Sequence, residues 1–334
     1  MDAVVRDTIE RSAPASPVTR SFAIASVTLV VHFATRRLAE LFSSSFAVTA
    51  TDAAREQSDR WELYVTAGDE GSPAPALVPS TPGGAMRLGV YSETYALWMG
   101  FQGATLYAVD VPRRRALCWL ARSTDVPAWE RSRPFLPILQ VIFDGTPWMA
   151  VHAAAIAWGE RGILLAGRGR AGKTSLALAG LRAGWRFAGD DYVLLRTDAT
   201  PAIAPIYATA RLREDMLPHF RELEPARREI SEETDERRHE LSFALTPEIG
   251  TIGGARLAAV LLLERGGAAM PIFSAVSRTA FLATIASAMG VATPGHDKTR
   301  AAKLLRLLST MAPRRFDPGF TFGPALDALA REIA

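Results

Sequence analysis

The sequence predicts an α/β protein with two domains, a smaller and mainly β or α+β domain over residues 1–135 and an α/β domain over residues 136–334. The length of 334 residues is about that of two ordinary domains. Segments with the alternation and β-branched residues of strands dominate the first half. Beyond residue 136, strands alternate with helices around a glycine-rich loop, which is the pattern of an α/β domain.

The composition excludes several classes of protein. Hydrophobic residues make up 49% of the chain and charged residues 22%, as in an ordinary globular protein and unlike a disordered one. No apolar run approaches the ~20 residues that span a bilayer, and the N-terminus lacks the basic-then-apolar pattern of a signal peptide. We therefore expect a cytoplasmic protein without a membrane partner. The single cysteine, Cys118, excludes an internal disulfide and a multi-cysteine metal site.

The charge pattern argues against a nucleic-acid partner. The chain has 38 lysines and arginines against 35 aspartates and glutamates, a net charge of +3. The cations are dispersed among acidic residues, whereas nucleic-acid binding requires them to be clustered. Only Lys173, Lys298 and Lys303 are lysines. A lysine within a motif is therefore informative in this chain.

The first half predicts a β-sheet without a recognisable chemical motif. Residues 21–31, 60–66, 105–109 and 115–121 have the apolar and alternating character of strands. Glycine and proline are densest at 71–84, which predicts a loop. We expect an antiparallel sheet with one helix in this half.

The second half predicts an ordered series of strands and helices. Proline and glycine separate its apolar segments. In chain order we expect a helix at 136–143, a hairpin of strands 150–158 and 162–166, a helix at 173–183 that Gly184 ends, strands at 185–189 and 192–196, a charged and helical or mobile segment at 212–243, a buried strand at 256–264, and helices at 278–289 and 299–311.

The glycine-rich loop predicts a nucleotide site. Residues 167–174 read Gly-Arg-Gly-Arg-Ala-Gly-Lys-Thr, a full match to G-x-x-x-x-G-K-[ST]. Glycines allow successive backbone N–H groups to surround phosphate oxygens at a helix N-terminus. Lys173 would contact the β- and γ-phosphates, and the Thr174 hydroxyl would bind Mg²⁺. The expected ATP-binding residues are Gly167, Arg168, Gly169, Arg170, Ala171, Gly172, Lys173, Thr174 and Ser175.

A second interpretation of the same loop stays open. Gly167, Gly169 and Gly172 also satisfy G-x-G-x-x-G, and an acidic pair follows about twenty residues later, as in an NAD site of the Rossmann type. Lys173 and Thr174 favour a nucleoside triphosphate, because a dinucleotide fold does not need them. The predicted hairpin before the loop also differs from the start of a βαβ unit.

Two acidic residues and one histidine complete the predicted site. Asp190 and Asp191 end the strand that follows the loop helix, where a carboxylate can face the phosphates. Two neighbouring carboxylates can serve two tasks, one at the metal and one at the proton of an acceptor hydroxyl. A solvated turn is the alternative for this pair. His152 lies on the strand before the loop and is either a core residue or a partner of an aspartate.

These motifs together carry a resemblance to a known family. The run 152–195 contains His152, the lysine-bearing glycine loop, and Gly-Asp-Asp-Tyr at 189–192. With this set it resembles the HPr kinase/phosphorylase family, and more closely the HPr-kinase-related kinases found beside lasso-peptide and other peptide-maturation genes. The segment 255–265 is similar to a later core strand of that family. The resemblance implies a C-terminal P-loop kinase domain of the HPr kinase and phosphoenolpyruvate carboxykinase type, preceded by a family-specific N-terminal domain.

The resemblance also implies roles for individual residues. Residues 167–174 would bind ATP and Mg²⁺, and Lys173 would act in catalysis. His152 would hydrogen-bond to Asp190, which would be the base for the acceptor hydroxyl, and Asp191 would assist the metal. Glu214 has the spacing of a metal-linked glutamate of the family. An arginine that reaches the transferred phosphate would be Arg237 or Arg238.

The function expected from the sequence is therefore ATP-dependent phosphorylation of a hydroxyl. The acceptor would be a serine of a peptide or small protein, such as the precursor of a lasso peptide. Two alternatives stay open, a kinase for a small-molecule hydroxyl and a regulatory module that binds nucleotide without turnover. The cofactors would be ATP and Mg²⁺, and the sequence leaves self-association open.

Overall fold

The computed structural model describes residues 1–46, 59–76, 89–100, 104–233, 236–244, 246, 252–288 and 297–334. The chain divides into two compact units, a first of Met1–Gly145 and a second of Thr146–Val291 with Lys298–Ala334. Helices and strands occur in both units, so the predicted α/β class is confirmed. No helix within the described residues is long and apolar enough to cross a membrane.

The first unit is built on one mixed sheet. Its described strands lie in the order β1-β2-β3-β7-β6-β5-β4. Strand β2 is parallel to β3, and β3 is parallel to β7, whereas the other neighbours are antiparallel. The elements are α1 (Asp2–Arg11), β1 (Val18–Ile24), β2 (Val27–Phe33), α2 (Arg36–Ser43), β3 (Asp59–Ala67), β4 (Gly89–Tyr91), β5 (Tyr95–Gly100), β6 (Thr105–Asp110), β7 (Arg115–Leu120), α3 (Ala128–Ser132) and α4 (Leu136–Asp144).

Two expectations for this half are wrong. The sheet is mixed rather than antiparallel, because α2 lies between β2 and β3 in the chain and lets the two strands run parallel. The unit also has several helices rather than one. The segment 21–31 is a hairpin, in which Ala25 has a φ of +49°. Because no glycine occurs at this turn, the sequence alone predicts one continuous apolar strand.

Helix α1 packs against strands β5, β6 and β7 of the first sheet. Its Val5 and Ile9 are buried against Leu106, Leu117 and Trp119 of β6 and β7. Burying an aliphatic side chain of this size stabilises the fold by about 1.5–3 kcal/mol. The helix thus belongs to the core of the unit. Helix α4, which the sequence assigns to the second domain, also lies in this first unit.

The second unit contains the larger set of elements. Two sheets and four α-helices are seen in its described part. The elements are β8 (Trp148–Val151), β9 (Ala154–Trp158), β10 (Arg161–Ala166), α5 (Lys173–Arg182), β11 (Arg186–Gly189), β12 (Val193–Arg196), β13 (Ala202–Pro205), β14 (Thr209–Arg213), β15 (Arg227–Glu233), β16 (Glu236–Ser242), β17 (Ala255–Leu263), β18 (Ile272–Ala275), α6 (Arg278–Ala288), α7 (Asp297–Thr310), β19 (Arg314–Asp317) and α8 (Phe322–Glu332).

The main sheet of this unit confirms the predicted hairpin and corrects one strand. Its order is β11-β9-β10-β17-β13-β12-β8, with β19 beside β17 and β18 beside β19. Strands β9 and β10 pair antiparallel, as predicted. The strand expected at 150–158 is interrupted at His152 and Ala153. Because β8 pairs with β12 while β9 pairs with β10 and β11, the chain changes position in the sheet at His152.

The segment 212–243, which we expect to be helical or mobile, has two short 3₁₀ helices, Glu214–His219 and Arg221–Ala226, and otherwise contributes to a small three-stranded sheet in the order β14-β16-β15. The expectation is wrong for the strands because the many charges conceal a strand alternation. Leu212 and Leu241 are buried on one face, and Arg211 and Glu240 are directly opposite each other on the other face. The segment therefore presents a charged face on an ordered sheet.

The core of the main sheet fixes the position of the glycine loop. Strands β10 and β17 run parallel, and their segments 163–166 and 259–263 are continuous apolar runs in which every residue is buried. Helix α5 follows the loop and contacts β9 and β11 with buried side chains that include Leu176 and Leu181. It ends at Arg182, and Gly184 after it has a φ of +84°, which suits a helix C-terminus.

Candidate functional site

A cavity of about 270 Å³ lies in the second unit, where the glycine loop after β10 faces the small sheet. Its lining combines the loop, the start of α5, the Asp191 turn, and residues of β14 and β16. The lining residues are His152, Gly169, Arg170, Ala171, Gly172, Lys173, Thr174, Ser175, Asp191, Arg211, Leu212, Arg213, Asp215, Met216, Arg238 and Arg265.

The glycine loop holds a conformation that requires glycine. Gly167 has a φ of +154°, and a Cβ added to it would lie 2.8 Å from the carbonyl oxygen of Leu263. Gly172 has a φ of +96° where the loop enters α5. Of the predicted ATP-binding residues, 169–175 line the cavity. Gly167 and Arg168 do not line it, and their carbonyl oxygens accept hydrogen bonds from Lys173 Nζ at 2.8 Å and 3.2 Å.

Lys173 is a buried cation at the start of a helix. Its residue is only 8% exposed, and burial lowers the pKa of its ammonium group. The carboxylates of Asp190 and Asp191 oppose this shift of the pKa, and the charge of Arg238 adds to it. The positive end of a helix dipole also disfavours a cation at this place. A bound anion would relieve both effects, so the lysine and the loop fit a phosphate group.

The two adjacent aspartates lie within a strained turn. The N–H of Tyr192 donates to the carbonyl oxygen of Asp190 at 2.6 Å, and Asp191 between them has a φ of +58°. Gly189 before the pair has a φ of +133°. Such turns with a positive φ at a non-glycine residue cost free energy and occur at functional sites. The turn places the two carboxylates in different surroundings.

Asp190 lies beneath the cavity beside the loop threonine. It is 2% exposed, and its two carboxylate oxygens accept from the Thr174 hydroxyl at 3.0 Å and 2.9 Å. Burial, and next the charge of Asp191, raise the pKa of Asp190 to about 6. A cation bound at this point would remove the cost of the buried charge. The hydroxyl and the carboxylate are the oxygen ligands that Mg²⁺ prefers.

Asp191 faces the cavity between a histidine and an arginine. His152 Nε2 lies 3.7 Å from Asp191 Oδ1, and Arg211 Nη1 lies 3.8 Å from Asp191 Oδ2. The ring of His152 also contacts the ring of Tyr192, with centroids 5.3 Å apart. The predicted hydrogen bond from His152 to Asp190 is therefore wrong. Because the turn reverses direction at Asp191, the second aspartate is the neighbour of the histidine and the first is the neighbour of Thr174.

Arg211 and Glu240 belong to the site, and sequence reasoning missed both. The side chain of Arg211 is 5% exposed, and its Nε donates to Glu240 Oε1 at 2.8 Å. The backbone N–H of Arg211 also points to Asp190 Oδ2 at 3.4 Å. Removing two charges from water is costly, so a buried pair of this kind is poor evidence of stabilisation. The alternation Arg211-Leu212-Arg213 is the signal that could have identified a strand with one charged face.

Two other predicted residues lie outside the cavity. The side chain of Glu214 is 51% exposed and pairs with Arg237 at 3.4 Å, so the structure does not bring it to the proposed metal ligands. Glu214 follows the end of β14 in a short 3₁₀ turn, which removes it from the charged face. Of the two candidate arginines, Arg238 lines the cavity and Arg237 does not. The described residues hold no cluster of three or more His, Cys, Asp or Glu side chains suited to a metal ion.

Neither of two comparisons with known proteins finds a relative of this chain. A scan against protein-family models finds no match to the chain. A search of the curated proteins also finds none.

Proposed function

We propose that the second unit is an ATP-dependent phosphotransferase that transfers the γ-phosphoryl group to a hydroxyl of a peptide or small protein. One observation carries this proposal. Two adjacent aspartates have different neighbours. Asp190 accepts hydrogen bonds from Thr174, whereas Asp191 lies beside His152 and the buried Arg211. Asp190 would thus bind a metal ion and Asp191 would accept a proton. Phosphoryl transfer to a hydroxyl needs both functions.

The loop side of the cavity would bind the triphosphate. The backbone N–H groups at the start of α5 and the ammonium of Lys173 supply the donors and the charge. Arg170 and Arg265 line the same side, and the Arg265 guanidinium lies 3.3 Å from the place of a Cβ on Gly172. This cationic surface favours several negative charges at once. It fits a triphosphate better than a single carboxylate.

Thr174 and Asp190 would hold the metal ion. When bound there, Mg²⁺ would neutralise part of the negative charge of the phosphates. The chain contributes a hydroxyl and a buried carboxylate already within 3.0 Å of each other. Glu214 has no part in this proposal because its side chain is 51% exposed and pairs with Arg237.

Asp191 would act as the base for the acceptor. The acceptor oxygen forms a bond to the γ-phosphorus while the bond from that phosphorus to the β–γ bridging oxygen breaks, so that ADP leaves. The hydroxyl proton passes to the Asp191 carboxylate. His152 and Arg211 flank that carboxylate at 3.7 Å and 3.8 Å, and Arg211 in turn donates a hydrogen bond to Glu240. A base held in position in this way need not reorganise during the reaction.

The structure gives less support to the NAD interpretation of the loop. Strand β10 follows β9 in an antiparallel hairpin, whereas a dinucleotide fold begins with a strand of a parallel βαβ unit. A ribose-binding carboxylate must also be accessible to its ligand. Asp190 is 2% exposed and engaged with Thr174, which suits a buried metal ligand better.

The experiment is transfer of radiolabel from [γ-³²P]ATP to acceptors in a cell lysate. The chain supplies a matched pair of variants, Lys173→Ala at the loop and Lys298→Ala at an exposed position of α7. We expect labelling with the parent and with Lys298→Ala, and none with Lys173→Ala. Equal labelling with all three proteins would overturn the proposal. Tight binding of ATP without any labelling would favour a regulatory module instead.

A further inference from the structure

The charged face of the small sheet carries more cations than the proposed chemistry uses. Residues two apart on β14 share this face, and the register places Arg211 opposite Glu240 and Arg213 opposite Arg238. Arg211 is engaged by Glu240 and lies beside Asp191. Arg213 and Arg238 line the cavity but have no role at the loop, the metal or the base in the proposed reaction.

The pairing of Arg213 with Arg238 is unusual. Like charges directly opposite each other on neighbouring antiparallel strands destabilise a sheet. Asp215 offsets part of this repulsion, since it accepts from Arg213 Nε at 3.0 Å and from Nη2 at 2.9 Å. These bonds occupy one edge of the planar guanidinium and hold it in place, while the other edge keeps its donors. The pair is thus arranged to receive an additional anion.

The position of the two arginines distinguishes this anion from the triphosphate. Six cations line it, Arg170, Lys173, Arg211, Arg213, Arg238 and Arg265, against the two carboxylates Asp191 and Asp215. The loop side has its own cations for the phosphates, and bound Mg²⁺ would neutralise part of the phosphate charge. Arg213 and Arg238 share the face of the small sheet with Arg211, and Arg211 Nη1 lies 3.8 Å from Asp191 Oδ2, where the acceptor must approach.

From this we infer that the acceptor is acidic, and that a carboxylate near its hydroxyl binds to Arg213 and Arg238. Arginine forks bind carboxylates through two parallel hydrogen bonds, which orients the bound group as well as attracting it. The carboxylate can come from an acidic side chain or from a chain terminus. The inference rests on the proposed function, because it names the acceptor of that same site.

The test uses serine peptides that differ only near the serine. One has aspartates beside it, one has asparagines, one has lysines, and a fourth has a serine at a free C-terminus, with its amidated form as the control for the terminal carboxylate. Transfer from [γ-³²P]ATP is measured with the full chain. Binding of the same peptides, fluorescently labelled, is measured by anisotropy in the presence of saturating Mg·ADP, which needs no turnover.

We expect a peptide that offers a carboxylate to react with a kcat/KM about tenfold or more above that of its neutral form, as for a charge-assisted hydrogen bond. Arg213→Gln and Arg238→Gln should each raise the acceptor KM by about tenfold and leave the KM for ATP unchanged. Arg237→Gln is the matched control, because Arg237 is on the same strand as Arg238, is 52% exposed and pairs with Glu214 outside the cavity. It should change neither KM. Arg238→Lys keeps the positive charge, so it shows whether the effect comes from the charge. Thermal melting of each variant shows whether it is still folded.

The possible outcomes distinguish failure of this inference from failure of the kinase proposal. Equal transfer to acidic and neutral peptides overturns the inference and leaves the kinase proposal standing. A raised KM for ATP in the two arginine variants also overturns it, since the pair would then bind the nucleotide. Binding of acidic peptides that both variants abolish, without transfer to any peptide, supports the anion site and contradicts the kinase proposal. No preference in either assay overturns the inference.

Discussion

Glu130 in the first unit and Asp190 in the second are both buried carboxyl groups with a raised pKa, and they differ in their neighbours. Glu130 in the first unit accepts a hydrogen bond from the Tyr107 hydroxyl at 2.6 Å, and burial raises its pKa. Asp190 in the second unit is also buried and has a raised pKa, but the adjacent charge of Asp191 contributes to the shift. Asp190 further contacts Thr174 of the glycine loop. Burial alone therefore gives a raised pKa, whereas a second carboxylate at a cavity indicates chemistry.

The largest expected effect comes from the loop lysine. Lys173→Ala should lower phosphoryl transfer by at least ~10²–10³-fold, because a buried cation directed at developing charge is lost. Lys173→Arg should also fail, since a planar guanidinium does not replace a compact ammonium in a tight loop. Glu130→Gln in the first unit is the control and should keep parental activity. Single-turnover transfer and thermal melting give the result, and near-parental transfer by a folded Lys173→Ala protein would contradict the assignment.

The next effect separates the two aspartates. Asp191→Asn should keep Mg·ATP binding and lower transfer by ~10²–10⁴-fold, since an amide cannot accept the hydroxyl proton. Asp190→Asn should instead weaken the Mg²⁺-dependent part of nucleotide binding. His152→Ala should give a smaller loss of transfer than Asp191→Asn, because the histidine acts through the carboxylate. Mg·ATP affinity from calorimetry and single-turnover transfer rates, measured for all three variants, test these expectations. The opposite phenotypes for the two aspartate variants would show that Asp190 is the base.

A pH dependence follows from the raised pKa of Asp190. Because this pKa is about 6, a proton competes with a metal ion for the carboxylate below that pH. Mg²⁺-dependent nucleotide affinity should therefore fall as the pH drops through about 6, and stay constant above about 7. The Asp190→Asn variant should lack this step. A parental affinity that is flat between pH 5 and about 7 would show that Asp190 is not a metal ligand.

The smallest effect concerns stability without ligands. The folded pKa of Asp190 lies above its ordinary value of 3.8, so its ionisation destabilises the folded protein, fully so above about pH 6. Asp190→Asn should therefore raise the melting temperature by a few degrees at neutral pH, since ~1 kcal/mol shifts it by about 2–4 °C in a domain of this size. This gain should disappear near pH 4. Thermal melts at both pH values measure it, and a lower melting temperature at neutral pH would contradict the described environment.

The sequence predicts the loop region well because several signals coincide there. The apolar run of β10, the glycines of the loop and the helix formers of α5 lie in order, and the helix begins at Lys173 as expected. The hairpin before the loop is confirmed for the same reason. Local preferences agree with the tertiary structure here, so residue patterns are sufficient.

The remaining parts of the site depend on contacts that local patterns do not contain. The break at His152 arises because β8 and β9 pair with different strands. The orientation of the aspartates depends on the positive φ at Asp191. Arg211 and Glu240 meet only through the register of β14 and β16, and their charges suggested a solvated segment. Strand pairing across long stretches of chain therefore decides which charges face the cavity.

The most direct test of the proposed nucleotide site is calorimetry of nucleotide binding to the full chain. We expect Mg·ATP to bind the parent protein, binding to weaken when Mg²⁺ is removed, and binding to be lost in Lys173→Ala. NAD should not bind. Binding of NAD without binding of ATP would contradict the central claim, and so would an ATP affinity that neither Mg²⁺ nor Lys173 affects.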